Sequence, residues 1–171
     1  MAEDIKIGFG LADIKIDGKD IGLQGDSAEF MAEPVMLEIE TYELGVYDYY
    51  LDSWNVTLKV VLQDESFEKL KMALPALQEI KDGASTVGLT DGATHQRMRD
   101  KAVEIQVCPR DAGGTTDYDI TIFKALPTGG FTRAYGKDVN TYEVEFRALP
   151  KTGNYKTGGN FFRIGNEEGA E

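Results

Sequence analysis

Apolar and polar residues alternate with a period of two along much of this chain. The clearest case begins at Trp54, where Val56, Leu58, Val60 and Leu62 alternate with Asn55, Thr57 and Lys59. That is a strand rich in β-branched residues with one buried face. From Asp64 the spacing changes: Phe67, Leu70, Leu74 and Leu77 fall at i, i+3, i+7 and i+10, one face of a helix. Asp64 and Ser66 suit its first turn as caps, and Glu65 and Glu68 suit the positive end of its dipole. Pro75 lacks an amide donor and predicts a stop or kink near Leu74. The pattern therefore predicts one helix, about 64–81, lying as a lid on a core built from strands.

Other strands show the same alternation. Ile14 and Ile16 alternate with Asp13 and Lys15 ahead of Asp17-Gly18, a hairpin-turn signal, and Ile21-Gly22 opens the return. Val35, Leu37 and Ile39 alternate with Met36, Glu38 and Glu40, which predicts that the two glutamates lie together on the face opposite the core. Strand-like runs follow at 101–108, 118–126 and 139–149, with turns at Gly113-Gly114 and Gly129-Gly130. FKALPTGG at 123–130 echoes FRALPKTG at 146–153, two strand ends of similar design stopped by proline and glycine. A glycine-rich link then leads to FFRIG at 161–165.

Two stretches lack a clean period. Residues 42–53 hold four of the eight tyrosines (Tyr42, Tyr47, Tyr49, Tyr50) and read as a long hairpin loop. Its rings either pack on their own strands or form a contact surface, since tyrosine supplies wide amphipathic area at low entropic cost. Residues 82–100 are poor in apolar side chains, contain Gly83, Gly88 and Gly92, and read as a long mobile loop. Residues 1–11 read as an extended arm and residues 166–171 as a disordered end.

Composition adds one strong constraint. The 171 residues suit a single domain, and 18 Lys+Arg against 30 Asp+Glu leave a formal charge of −12. A surface this acidic repels nucleic acid and argues against direct DNA reading, although excess carboxylates also serve solubility alone. The lone cysteine, Cys108, sits in an apolar run and reads as a buried structural thiol. No basic segment followed by a long apolar run opens the sequence, so no signal peptide is expected, and no apolar stretch is long enough to span a bilayer. Synthesis and assembly are expected in a cytoplasm.

Catalytic signatures are absent. One histidine, His95, stands on a polar stretch without a partnering Ser or Cys motif, and no phosphate-binding loop, dinucleotide fingerprint, HExxH or CxxC occurs. Asp17, Asp20 and Asp26 cluster near turns without EF-hand spacing and read as solvated turn residues. Glu143 and Glu145 form a carboxylate pair of the kind glycoside hydrolysis uses, yet adjacent on an alternating strand they mark its polar face. The expectation is a non-enzyme with no cofactor and no metal.

Three segments together resemble the major tail tube proteins of long, non-contractile-tailed bacteriophages. They are LADIKIDGKDIGLQGDSAEF at 11–30, WNVTLKVVLQDESFEKLKMAL at 54–74, and VNTYEVEFRALP at 139–150 followed by the glycine link and FFRIG. The resemblance implies a mainly β fold, a β-sandwich with one flanking α-helix, shared with contractile-tail tubes and the type VI secretion tube protein. It implies hexameric rings stacked into a virion tail tube, assembled in the host cytoplasm around a tape measure protein and bounded by tail terminator and distal tail proteins. DNA would pass through the lumen without specific binding. On that view Glu38, Glu40, Asn55, Thr57 and Lys59 face the lumen. The loop at 42–53, with Tyr42, Tyr47, Asp48, Tyr49, Tyr50 and Asp52, stacks rings, and arms at 1–11 and 150–171 reach neighbours. A different class, a monomeric or dimeric β-sandwich module binding carbohydrate or protein through the tyrosines, fits the same strand pattern.

Overall fold

A computed structural model describes residues 10–22, 24–110 and 115–166 of the chain. The strands are β1 (Ala12–Ile16), β2 (Lys19–Asp20), β3 (Glu29–Thr41), β4 (Gly45–Leu62), β5 (Gln78–Asp82), β6 (Ser85–Thr90), β7 (Val103–Pro109), β8 (Ile120–Pro127), β9 (Tyr142–Ala148) and β10 (Phe162–Ile164). Helix α1 (Phe67–Ala73) follows β4, and Arg99–Lys101 make a single 3-10 turn. The fold is mainly β with one α-helix among the described residues, as the alternation predicted.

All strand pairs are antiparallel. One sheet runs in the order β2-β1-β7-β8-β9-β4-β3, and β5-β6 form a separate hairpin. Strand β8 makes the sheet fork. Along one edge it pairs with β7; along the other, Ile120–Ile122 bond β10 while Ala125–Pro127 bond β9. The two branches share one core: Ile14, Ile105 and Ile122 from the β1-β7-β8 half are buried in a single cluster with Val56, Leu58, Val144 and Phe146 from the β9-β4 half. The sheet therefore curls so that one apolar face packs against itself, which removes the core side chains from water.

The chain after β2 laces the two halves together. Ile21 donates its amide to the Ile14 carbonyl at 3.1 Å, Gln24 Nε2 donates to the Ala12 carbonyl at 2.9 Å, and Gly25 donates to the Val61 carbonyl at 2.8 Å. A Cβ at Gly25 would lie 2.8 Å from Thr141 Cγ2 and 3.0 Å from Gln63 Cγ, so the close approach needs glycine. The preceding turn has Asp17 at φ 49° and Gly18 at φ 77°, the left-handed pair that a tight hairpin requires.

The helix is shorter than the 64–81 its apolar spacing predicts. Ser66 caps it, accepting the Lys69 amide through its side chain, and Asp64 accepts the Ser66 amide at 3.0 Å. The last helical bond is Leu74 to the Leu70 carbonyl. Pro75 then forces Leu74 into extended backbone (φ −131°), and Gln78 begins a strand instead of another turn. The loop expected over 82–100 is likewise part strand: Ser85–Thr90 pair with Gln78–Asp82, and a register shift, with Ile80 opposite Gly88 but Lys81 opposite Thr86, leaves Val87 extra and breaks the alternation. Of the expected arms, residues 1–9 and 167–171 lie outside the described residues, as does the Gly113-Gly114 turn. Phe162–Ile164 of the C-terminal one are built into the sheet as β10.

One buried phenol joins helix and sheet. The Tyr142 hydroxyl donates to the Asp64 carbonyl at 2.5 Å, and its ring meets Phe131 edge-on at 5.5 Å. Burial, reinforced by the negative charges of Asp64 and Glu65, pushes its pKa up from 10.0 to about 12. The unfolded chain thus releases this proton first, and the folded state loses stability as pH rises from the ordinary tyrosine value to about 12. Urea denaturation across that alkaline window should show the loss in wild type and a flatter profile in Tyr142→Phe, which at neutral pH should cost about 1 kcal/mol for the lost hydrogen bond.

Candidate functional site

Strands β3 and β4 are long for a globular domain, 13 and 18 residues. They pair from Glu29↔Lys59 out to Thr41↔Gly45, whereas β9 covers β4 only between Thr57 and Leu62. Residues 45–56 of β4 therefore have β3 on one side and, among the described residues, no strand on the other. The outcome is a two-stranded ribbon standing off the body, with open backbone donors and acceptors along both edges. Ribbon residues expected to form a loop at 42–53 are strand except for the turn at 42–44, where Thr41 Oγ1 accepts the Leu44 amide at 3.2 Å.

Two β-bulges explain why this stretch showed no period. Val35 faces Ser53 but Met36 faces Leu51, leaving Asp52 extra; Ile39 faces Asp48 but Glu40 faces Val46, leaving Tyr47 extra. Each extra residue on β4 shifts its alternation by one, so apolar residues change phase twice within a dozen positions.

The ribbon exposes an unusual amount of apolar surface. Tyr42 is fully exposed, Leu44 is 71% and Tyr47 69% exposed, and Met36, Leu37, Ile39, Val46, Tyr49, Tyr50 and Leu51 are all exposed as well. An isolated two-stranded hairpin is marginal in water, and open apolar edges invite pairing with another chain. Its base is anchored: Phe162 on β10 meets Trp54 and Phe30 edge-on at 5.6 and 5.7 Å.

The register divides the residues expected to share one lumenal face. Asn55, Thr57 and Lys59 stand opposite Glu33, Met31 and Glu29 on the outward face of β3-β4, which continues across β9 as Glu143, Glu145 and Arg147. Arg147 Nη2 donates to Asn55 Oδ1 at 3.0 Å, tying this wall together. Thr57 is buried within it and Lys59 is exposed. Glu38 and Glu40 do not join them. β3 carries no inserted residue, so its even-numbered positions keep the side that Phe30 and Ala32 take toward the core, while Val35, Leu37 and Ile39 continue the outward face. The expectation that Val35, Leu37 and Ile39 point to the core fails because the core ends before they begin. Glu38 and Glu40 instead flank the ribbon tip, opposite Tyr49 and Val46.

Charge is segregated along the chain in a way that a net value conceals. Residues 20–58 hold nine acidic and no basic residues, and residues 146–165 hold four basic (Arg147, Lys151, Lys156, Arg163) and no acidic ones. Counting signs segment by segment would have revealed this. Elsewhere the polar groups are committed locally. Asp20 and Asp26 accept the amides of Gly22 and Ser27 within their own turns, both at 2.7 Å, and Asp17 accepts the Glu104 amide of β7 at 3.0 Å. His95 lies exposed beside Thr94, and burial together with Asp119 pushes the Cys108 thiol upward. Among the described residues no three His, Cys, Asp or Glu converge to hold a metal ion, and no helix is long and apolar enough to cross a membrane.

Because the ribbon tip contributes nothing to the core, Tyr42→Ser, Leu44→Ser and Tyr47→Ser combined should leave the denaturation midpoint of the isolated chain within about 0.5 kcal/mol per substitution of wild type. A large loss in urea titration would mean that the tip folds back on the body.

No known protein family and no curated protein matches the chain by sequence. Its fold does have a counterpart among solved structures. A chain in the cryo-EM structure of the PVC sheath/tube terminator, from an extracellular contractile injection system in its extended state, is similar with a TM-score of 0.53 and 10% identity, over 86% of this chain and 96% of that one. The protein thus shares the fold of a contractile injection system component.

Proposed function

We propose that this protein is a structural subunit of a tail-like assembly, self-associating into stacked rings that form a hollow tube. The observation that carries this reading is the β3-β4 ribbon: open on both edges among the described residues, apolar on both faces, and without a strand beside β4 before Thr57. Neighbouring copies supply what it lacks, a strand along each edge and an apolar surface over each face. The likeness to a chain of an injection-system terminator supports a tail context, and the resemblance of the sequence to siphophage tail tubes supports six-fold rings, tape measure, tail terminator and distal tail partners, and a place in the virion tail.

The wall of Glu29, Glu33, Asn55, Thr57, Lys59, Glu143, Glu145 and Arg147 is the polar face left over when the core is buried, and it is the surface we assign to the lumen. It carries four carboxylates against two cations. A net-acidic wall repels phosphates, so DNA slides past without being held. Glu38 and Glu40, placed on the other side of the ribbon, belong to contacts between copies in this reading, with Tyr42, Tyr47, Asp48, Tyr49, Tyr50 and Asp52. The role proposed is non-enzymatic.

Negative-stain electron microscopy of concentrated protein should show rings or hollow filaments, and the Tyr42→Ser, Leu44→Ser, Tyr47→Ser variant should remain a folded monomer. A wild-type chain that stays small at every concentration and binds glycans in an array screen would instead identify a binding module. Assembled Glu143→Lys, Glu145→Lys tubes should retain short duplex DNA at low salt and release it as salt rises, whereas wild-type tubes should retain none.

A further inference from the structure

We propose that the ribbon tip of one copy docks head-to-tail in a groove flanked by cations at the ribbon base of a second copy. This rests on the self-association reading above and names the receptor surface. The groove, about 660 Å³, lies between Leu51–Trp54 of β4 and the segment 150–162, with Trp54, Tyr155 and Phe161 as aromatic walls and Asp52 and Lys156 as its charged lining. Next to it Lys151 Nζ stands 4.8 Å over the Phe123 ring. Arg99 Nη2 donates to the Pro150 and Lys151 carbonyls at 2.7 and 3.3 Å, which brings a further cation to the same corner. Among the described residues no carboxylate lies within ion-pair distance of Arg99, Lys151 or Lys156. In a chain with 30 acidic and 18 basic residues, Arg99, Lys151 and Lys156 gathered against the single carboxylate of Asp52 make a corner that favours an anion.

The ribbon tip has the matching chemistry. Glu38, Glu40 and Glu43 bring three carboxylates, and Tyr42, Leu44 and Tyr47 bring exposed apolar surface for the aromatic walls. The chain cannot satisfy the match internally. Nine residues of extended strand, roughly 30 Å at about 3.3 Å per residue, separate Trp54 at the groove from Gly45 at the tip, and the paired strands hold the tip away from the base. A second copy can satisfy it. Tip and groove are different surfaces, so the contact is heterologous: each copy that donates a tip still offers a groove, and the contact propagates instead of closing a dimer. Opposite charges speed the encounter and set its direction, while the apolar contacts hold it.

A charge exchange tests this. Variant one carries Lys151→Glu and Lys156→Glu; variant two carries Glu38→Lys, Glu40→Lys and Glu43→Lys. Each alone, with wild-type circular dichroism, should need a concentration about tenfold higher or more before assemblies appear in sedimentation velocity. An equimolar mixture should assemble near the wild-type concentration, because each variant then meets the opposite charge. If both variants assemble alone like wild type, the docking proposal is overturned while self-association stands. If wild type itself never assembles, the self-association reading fails and the docking contact with it. If instead wild type retards a short DNA duplex, variant one does not, and mixing restores no assembly, the groove binds phosphate and the proposal is wrong.

Discussion

Strand β4 has to satisfy two environments with one run of backbone. Its last six residues, Thr57 to Leu62, lie between β3 and β9 and bury Leu58, Val60 and Leu62 on one side; the preceding Gly45 to Val56 have β3 alone. The first environment is a protein interior, where alternation sorts side chains cleanly between core and outside. In the second there is no core to sort against, and apolar side chains occupy both faces. The body of the molecule depends on the buried half, and the exposed half carries the proposed assembly. A single continuous strand couples them, so a subunit pulled at its ribbon is held through the central ladder of its own sheet.

Fold closure follows from the same strand. The sheet forks at β8, and curling brings β1, β7 and β8 against β4 and β9 over a shared apolar core. The gap is laced by Ile21, Gln24 and Gly25, and capped by the short helix, whose first turn is pinned through Tyr142 to the Asp64 carbonyl. Across β9, β4 and the base of β3 the side chains that alternate with the core are mostly polar: Glu29, Glu33, Asn55, Thr57, Lys59, Glu143, Glu145 and Arg147. A lumen wall in the proposed tube is thus the by-product of folding rather than a separate construction. Its acidity comes from four glutamates against one lysine and one arginine.

The charge pattern adds direction. An acidic segment that ends in the ribbon tip and a basic segment that ends beside the ribbon base make the subunit electrically polar along the ribbon. A polar subunit with distinct ends stacks in one sense, which a tube with a defined entrance and exit requires. Surface ion pairs within the chain, such as Lys19–Glu68 and Lys71–Glu79, involve neither end. They contribute little to stability.

Local pattern by itself determined the mainly β class, the core residues of β1, β4, β7 and β9, the Asp17-Gly18 turn, the capped helix start and its stop at Pro75. These depend on neighbours in sequence: alternation, caps and proline sterics act over a few residues. The resemblance to tail tubes, carried by three segments, pointed to the assembly proposed above, and the likeness among solved structures concerns the fold alone. What only the tertiary structure decided was pairing. Which side of β3 is outward depends on where β4 gains and loses partners, so Glu38 and Glu40 could not be separated from Asn55, Thr57 and Lys59 by alternation alone. The bulges at Asp52 and Tyr47 made a strand look like a loop, because a one-residue shift erases the period from which a strand is recognised. Likewise the groove beside Trp54 exists only once residues about a hundred positions apart are folded together. Periodicity records which side chains leave water; it does not record which partner strand takes them there.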